Sequence, residues 1–233
     1  MHEKYIIVIV EGQAGWSKVN DSLKLIISSL SLPWFKVLNN ILTGWNLLLV
    51  RFRKGLYEVL DYEATLELKD KRGKRACVRK YEKVRYLQNN IVTFQDQAWG
   101  DGKILINYRC TPGIPVDTYR SGFKNLILIS LREVKNQGDV DEFHIDWDIH
   151  QGFLRPTGFW ASEISHYTDK IKMRVIFPKN RPPLQARVLE KNRQRTISLN
   201  KDSFLQLPGG KWEVTWEQDR PKLYEQYILS WEW

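Results

Sequence analysis

In the stretch Phe143–His150 (FHIDWDIH), His144, Asp146, Asp148 and His150 recur at every second position. Imidazole together with carboxylate is a donor set for zinc, manganese or iron. A period of two is the period of a strand. These four side chains therefore share one face, while Phe143, Ile145, Trp147 and Ile149 share the other. Side chains two apart on a strand are separated by ~6.5–7 Å. A neighbouring pair can share one ion, all four cannot, and a complete site needs ligands from elsewhere. His2 and His166 are the only other histidines. The opposing reading is a solvated strand face. Asp139, Asp141 and Glu142 make the approach acidic, and basic residues on an adjacent strand would pair with such carboxylates.

A second group is basic. Between Lys69 and Arg85 stand Lys69, Lys71, Arg72, Lys74, Arg75, Arg79, Lys80, Lys83 and Arg85, opposed only by Asp70 and Glu82. Lys71, Arg72, Lys74 and Arg75 crowd around Gly73, where the pattern predicts a hairpin turn, and Arg79 follows on the return strand. Cations on such a hairpin contact phosphates and release counterions, and Tyr81 and Tyr86 are candidates to stack on bases. Two other uses are open. Lysines protect a sheet edge, and the block suits the acidic Asp139–Asp148 stretch of this or another copy. A further group, Lys179, Arg181, Arg187, Lys191, Arg193 and Arg195, faces only Glu190 in its own stretch. If the two basic groups share one side, an anion-binding surface follows. The net charge of +9 agrees with an anionic partner.

Motifs for several common chemistries are missing. There is no GxGxxG, no Walker lysine, no GxSxG elbow, no HExxH and no CxxC. Trp99-Gly100-Asp101-Gly102 reads as a β-turn. The two cysteines, Cys77 and Cys110, are too few for a disulfide scaffold, and a reducing cytoplasm is the expected compartment. One disulfide between them is open. The apolar run Tyr5–Val10 is too short for a secretory signal, and no run reaches the ~18–20 residues of a membrane span.

The elements that would position these groups follow from the periodicity. Residues 1–55 predict an N-terminal arm and two amphipathic helices. The second starts near Pro33, and Trp34, Leu38, Ile41, Trp45 and Leu48 form part of its apolar stripe. Aromatic anchors on one helical face suit a protein partner or a second copy of the chain. A membrane surface suits the stripe less well, because the polar face is rich in Asn and poor in Lys. After Gly55 the period changes to two. Residues 56–138 predict a first β unit carrying the basic hairpin, and 139–233 a C-terminal β-sandwich of immunoglobulin-like size. Whether these make one large sandwich or two small β units is open. Ten Trp, ten Tyr and nine Phe agree with a mainly β chain.

In architecture the C-terminal half resembles β-rich accessory domains of bacterial conflict systems. That resemblance implies an accessory component of a conflict or signalling system and assigns no residue. The expected function is a non-enzymatic binding or assembly protein that docks a partner, or itself, through the N-terminal helix and needs no cofactor. The alternatives are a nucleic-acid-binding module at the 69–85 hairpin and a metal-dependent enzyme at 144–150.

Overall fold

The computed structural model describes residues 55–233. The expected arm and helices, with Trp34, Leu38, Ile41, Trp45 and Leu48, lie outside the described residues. From Tyr57 onward the alternation of apolar and polar residues yields fourteen strands. In order they are β1 (Tyr57–Leu68), β2 (Arg75–Tyr86), β3 (Ile91–Ala98), β4 (Lys103–Thr111), β5 (Ile114–Ser121), β6 (Lys124–Lys135) and β7 (Val140–His150). Then come β8 (Thr157–Glu163), β9 (Lys170–Phe177), β10 (Gln185–Glu190), β11 (Arg195–Ser198), β12 (Phe204–Gln206), β13 (Trp212–Asp219) and β14 (Gln226–Glu232). Among the described residues, no helix is long and apolar enough to cross a membrane.

Seven strands form a mixed sheet in the order β12-β13-β9-β1-β2-β7-β4. β1 and β9 are parallel and every other neighbouring pair is antiparallel. A four-stranded sheet, β11-β10-β14-β8, and a three-stranded sheet, β3-β6-β5, complete the fold. Both smaller sheets cover one face of the large sheet. Phe94 of β3 stacks on Phe143 of β7 with ring centres 4.0 Å apart. Trp231 of β14 meets Phe177 of β9 edge-on at 5.6 Å, and Tyr227 of β14 lies against Trp216 of β13 at 5.0 Å. The result is the mainly β, sandwich-like architecture that the sequence predicts.

The large sheet answers the question of one β unit or two. It takes β1, β2 and β4 from before residue 139 and β7, β9, β12 and β13 from after it, and residues 55–233 fall in one compact unit. β7 lies inside this sheet, between β2 and β4. Its odd-numbered residues Phe143, Ile145, Trp147 and Ile149 are all buried in the core. The alternation read from the sequence is therefore the partition between core and surface.

The same partition answers one open question and corrects one expectation. Cys77 faces outward on β2, while Cys110 is paired in register with the inward Ile145, so both are free thiols on opposite faces of the sheet. Tyr86 is fully buried and donates its hydroxyl to Asp141 at 2.8 Å, so it offers no stacking surface to a base.

Candidate functional site

The outward face of β7 is a row of individually engaged groups. Asp146 accepts from Nε and Nη2 of Arg109 on β4, at 3.0 and 2.5 Å. β4 bulges here. Asn107, at a φ of 54° that Asn tolerates, donates to Asp148 at 3.0 Å. His144 lies beside Tyr81 of β2 with ring centres 5.2 Å apart. His150 is in register with Arg75 of β2 on one side and Lys103 of β4 on the other. His166 sits elsewhere, stacked on Tyr57 at 4.2 Å, and burial lowers its pKa to about 4. Among the described residues, no three His, Cys, Asp or Glu side chains gather to hold a metal. The four groups that share one strand face thus do not converge on one point.

The basic hairpin is built differently. Asp70 folds its tip by accepting the backbone N–H groups of Arg72 (2.8 Å), Lys74 (3.3 Å) and Arg75 (2.8 Å). Partial burial works against the charged carboxylate, but these donors outweigh it and hold the pKa of Asp70 below the ordinary value. Gly73 is required by a close approach. A β-carbon there would stand 1.8 Å from the carbonyl oxygen of Phe153, at a φ of +66° that side chains rarely adopt. With the turn held from within, the side chains of Lys71, Arg72, Lys74 and Arg75 are exposed.

Part of the second basic group meets this hairpin. Because β9 runs parallel to β1, the segment after Phe177 emerges at the same end as the β1–β2 turn. Arg181 donates Nη1 to the backbone carbonyl of Lys71 at 2.9 Å and lies over the Trp233 ring at 3.8 Å. Lys211, at the start of β13, and Lys69 each donate to Glu67 at 2.7 Å, and Arg79 reaches the same carboxylate at 3.1 Å. Burial alone would raise the pKa of Glu67, but the two lysines outweigh it and lower the value to about 2. One end of the large sheet thus carries cations from the hairpin, from β4 through Lys103, from the segment after β9 and from the start of β13. The rest of the second group goes elsewhere. Arg193 and Arg195 flank the fully buried Glu190 at 3.5 and 3.6 Å. Arg79 belongs to the middle of the outer face and not to the tip.

A buried ionic cluster escaped the reading of the basic block. Lys80 points inward from β2 and pairs with Asp96 of β3 and, at 3.4 Å, with Glu82. Tyr108 donates to the second oxygen of Asp96 at 2.9 Å, and the Lys80 ammonium lies 5.5 Å from the Trp147 ring centre. Burial disfavours the ammonium, yet the two carboxylates prevail and raise its pKa above the ordinary lysine value. Burial also raises Glu82 and lifts the nearby Tyr62 phenol to about 12. The cluster borders a cavity of about 110 Å³ where the three sheets meet. The signal was in the sequence. Lys80 and Glu82 fall on the even positions of β2, whose other members Ala76, Val78, Val84 and Tyr86 are core.

No family model matches the chain, and no curated protein matches it. Among solved structures, an M1 zinc metallopeptidase from Deinococcus radiodurans aligns at 11% identity and a TM-score of 0.46, over 74% of this chain and 42% of that one. A mutant of a two-domain M1 zinc metallopeptidase, bound to L-tryptophan, aligns at 10% identity and a TM-score of 0.48, over 76% and 43%. The chain therefore spans less than half the length of these structures.

Two outcomes follow from these contacts. Asp96→Ala leaves Lys80 buried without its main partner and should destabilise the fold by about 3–5 kcal/mol. The triple change Lys80→Met, Glu82→Leu and Asp96→Leu, which removes every charge of the cluster, should cost clearly less. Urea unfolding of both variants checks this, and equal losses would contradict it. Glu67 has a depressed folded pKa, so its stabilisation is complete above its unfolded value of 4.5 and is lost as pH falls towards about 2. Glu67→Gln should be less stable than the parent at pH 7. It should also show a flatter fall in unfolding temperature across that acid window.

Proposed function

We propose that this chain is a non-enzymatic binding module that docks a nucleic-acid backbone on the basic end of its large sheet. One observation carries the reading: the hydrogen bond from Arg181 to the carbonyl of Lys71, which ties the second basic group to the hairpin. Cations from separate segments then sit at one end of the sheet. Two acids of that region, Glu67 and Asp70, are engaged in lysine pairs and in the turn. A polyanion is the partner that such a surface suits, since each neutralised phosphate releases counterions. The non-enzymatic part of the reading rests on the outer face of β7. Its aspartates are tied to Arg109 and Asn107 and present no shared reaction centre.

A protein partner, or a second copy, on the N-terminal stripe is the second reading. It rests on the helical spacing of Trp34, Leu38, Ile41, Trp45 and Leu48. The two surfaces are compatible.

Fluorescence anisotropy with a labelled 20-base-pair duplex tests the main reading. Affinity should fall steeply with salt. Replacing Lys71, Arg72, Lys74 and Arg75 together by Gln should flatten the log–log salt slope by about 0.9 for each lost phosphate contact. Binding that ignores salt, or that survives the fourfold change, sinks the nucleic-acid reading. Trp45→Asp separates the second reading. It should abolish assembly in sedimentation runs while duplex affinity holds, and unchanged assembly would remove the stripe as a docking surface.

A further inference from the structure

A second cavity lies apart from the buried ionic cluster. It has a volume of about 510 Å³ and opens beside β8, between the loop after β7 and the four-stranded sheet. That volume lies within the ~300–1,000 Å³ of small-molecule sites. Phe153, Leu154, Phe159 and Trp160 supply apolar lining, and Arg155 and Arg187 stand at it. Phe159 and Leu154 are more than half exposed, at 56% and 55%. Large apolar side chains left open to solvent beside a concavity are a cost unless something covers them.

The register explains why charge and apolar surface meet here. Phe159 of β8 is opposite Ser230 of β14, and Ser230 is opposite Arg187 of β10. Phe159 and Arg187 therefore flank a small residue on one sheet face, about 10 Å apart across two strand spacings. Ser230 leaves that space open, and its hydroxyl is turned to the Arg187 carbonyl at 3.3 Å. On the other wall, Phe153 is held by its backbone N–H on the Gly73 carbonyl (3.1 Å) and by its ring against Trp231 (5.9 Å). The Arg155 carbonyl accepts the Trp233 indole N–H at 3.0 Å, which fixes that loop. The lining is thus pre-formed. Among the described residues neither Arg155 nor Arg187 has an ion pair, in contrast to Arg79, Arg109 and Arg174 on the outer face of the large sheet.

We propose that this cleft binds a small amphiphilic organic anion. Its apolar body would lie against Phe153, Leu154 and Phe159, and its anionic group would bridge Arg155 and Arg187. An apolar ligand without charge would leave both guanidiniums idle, and a bare phosphate would leave the aromatic lining uncovered. The cleft adjoins the hairpin through Phe153 and Gly73, but Lys71, Arg72, Lys74 and Arg75 do not line it, and its test does not depend on nucleic acid.

The test uses the full chain and two fluorescent probes with similar bodies. One is 8-anilinonaphthalene-1-sulfonate and the other is the uncharged N-phenyl-1-naphthylamine. The parent should bind both, the sulfonate more tightly. Arg155→Ala with Arg187→Ala should weaken the sulfonate about tenfold, roughly threefold for each exposed arginine, and leave the neutral probe within about twofold. Phe159→Asp should weaken both probes. Both arginines are exposed, so unfolding midpoints should not move for the double variant. The proposal is overturned if the parent does not enhance sulfonate fluorescence. It is also overturned if the arginine variant binds the sulfonate as the parent does, or if both probes lose affinity in parallel.

Discussion

The pairing of Lys80 with Asp96 joins two layers of the sandwich. Lys80 belongs to the large sheet and Asp96 to the three-stranded sheet, and both are almost fully buried. Charges in that position stay charged only with partners. Glu82, Tyr108 and the Trp147 ring complete the environment, so the register of β2, β3 and β4 is coupled through one ammonium. Apolar packing around it, with Phe94 on Phe143 and Trp147 near Trp160, supplies the non-directional part of the same seam. A slip of either sheet by one residue would turn the paired charges away from each other. The core is thus specified by a polar contact as much as by hydrophobic burial.

The outer face of the large sheet follows a different rule. Its charges are paired in small groups, most of them partly exposed and Glu67 buried beneath its cations. Glu67 gathers Lys69, Arg79 and Lys211, Glu63 meets Arg174, and Asp146 meets Arg109. The partly exposed pairs, Glu63 with Arg174 and Asp146 with Arg109, contribute little individually. Together they decide which charges remain free. Lys71, Arg72 and Lys74 stay without an ion pair at the hairpin end because Asp70 is occupied by backbone donors and by Arg75 at 4.0 Å, and Glu67 by lysines. The anion surface proposed at that end is a consequence of charge balance elsewhere on the face.

Much of this was legible in the chain. Strand period in Phe143–His150 identified β7 as a core strand. The hairpin turn around Gly73 was equally plain. The parallel pairing of β1 with β9 was not, because strands more than a hundred residues apart leave no local trace of their partner. β5 was hidden as well. It is an edge strand, exposed along almost its whole length, with Pro115 inside it. The basic block misled at one place. Lys80 counts as surface charge by composition, while its even position on β2 makes it core. The meeting of Arg181 with Lys71 depends on the β1–β9 pairing and so could not be read locally.

Hydrogen–deuterium exchange of the full chain, with and without a 20-base-pair duplex at low salt, tests the proposed surface most directly. The expected result is joint protection of the 69–75 hairpin, the 179–181 segment and the start of β13, with the His144–His150 strand unchanged. Protection confined to other segments, or none at saturating duplex, would contradict the account.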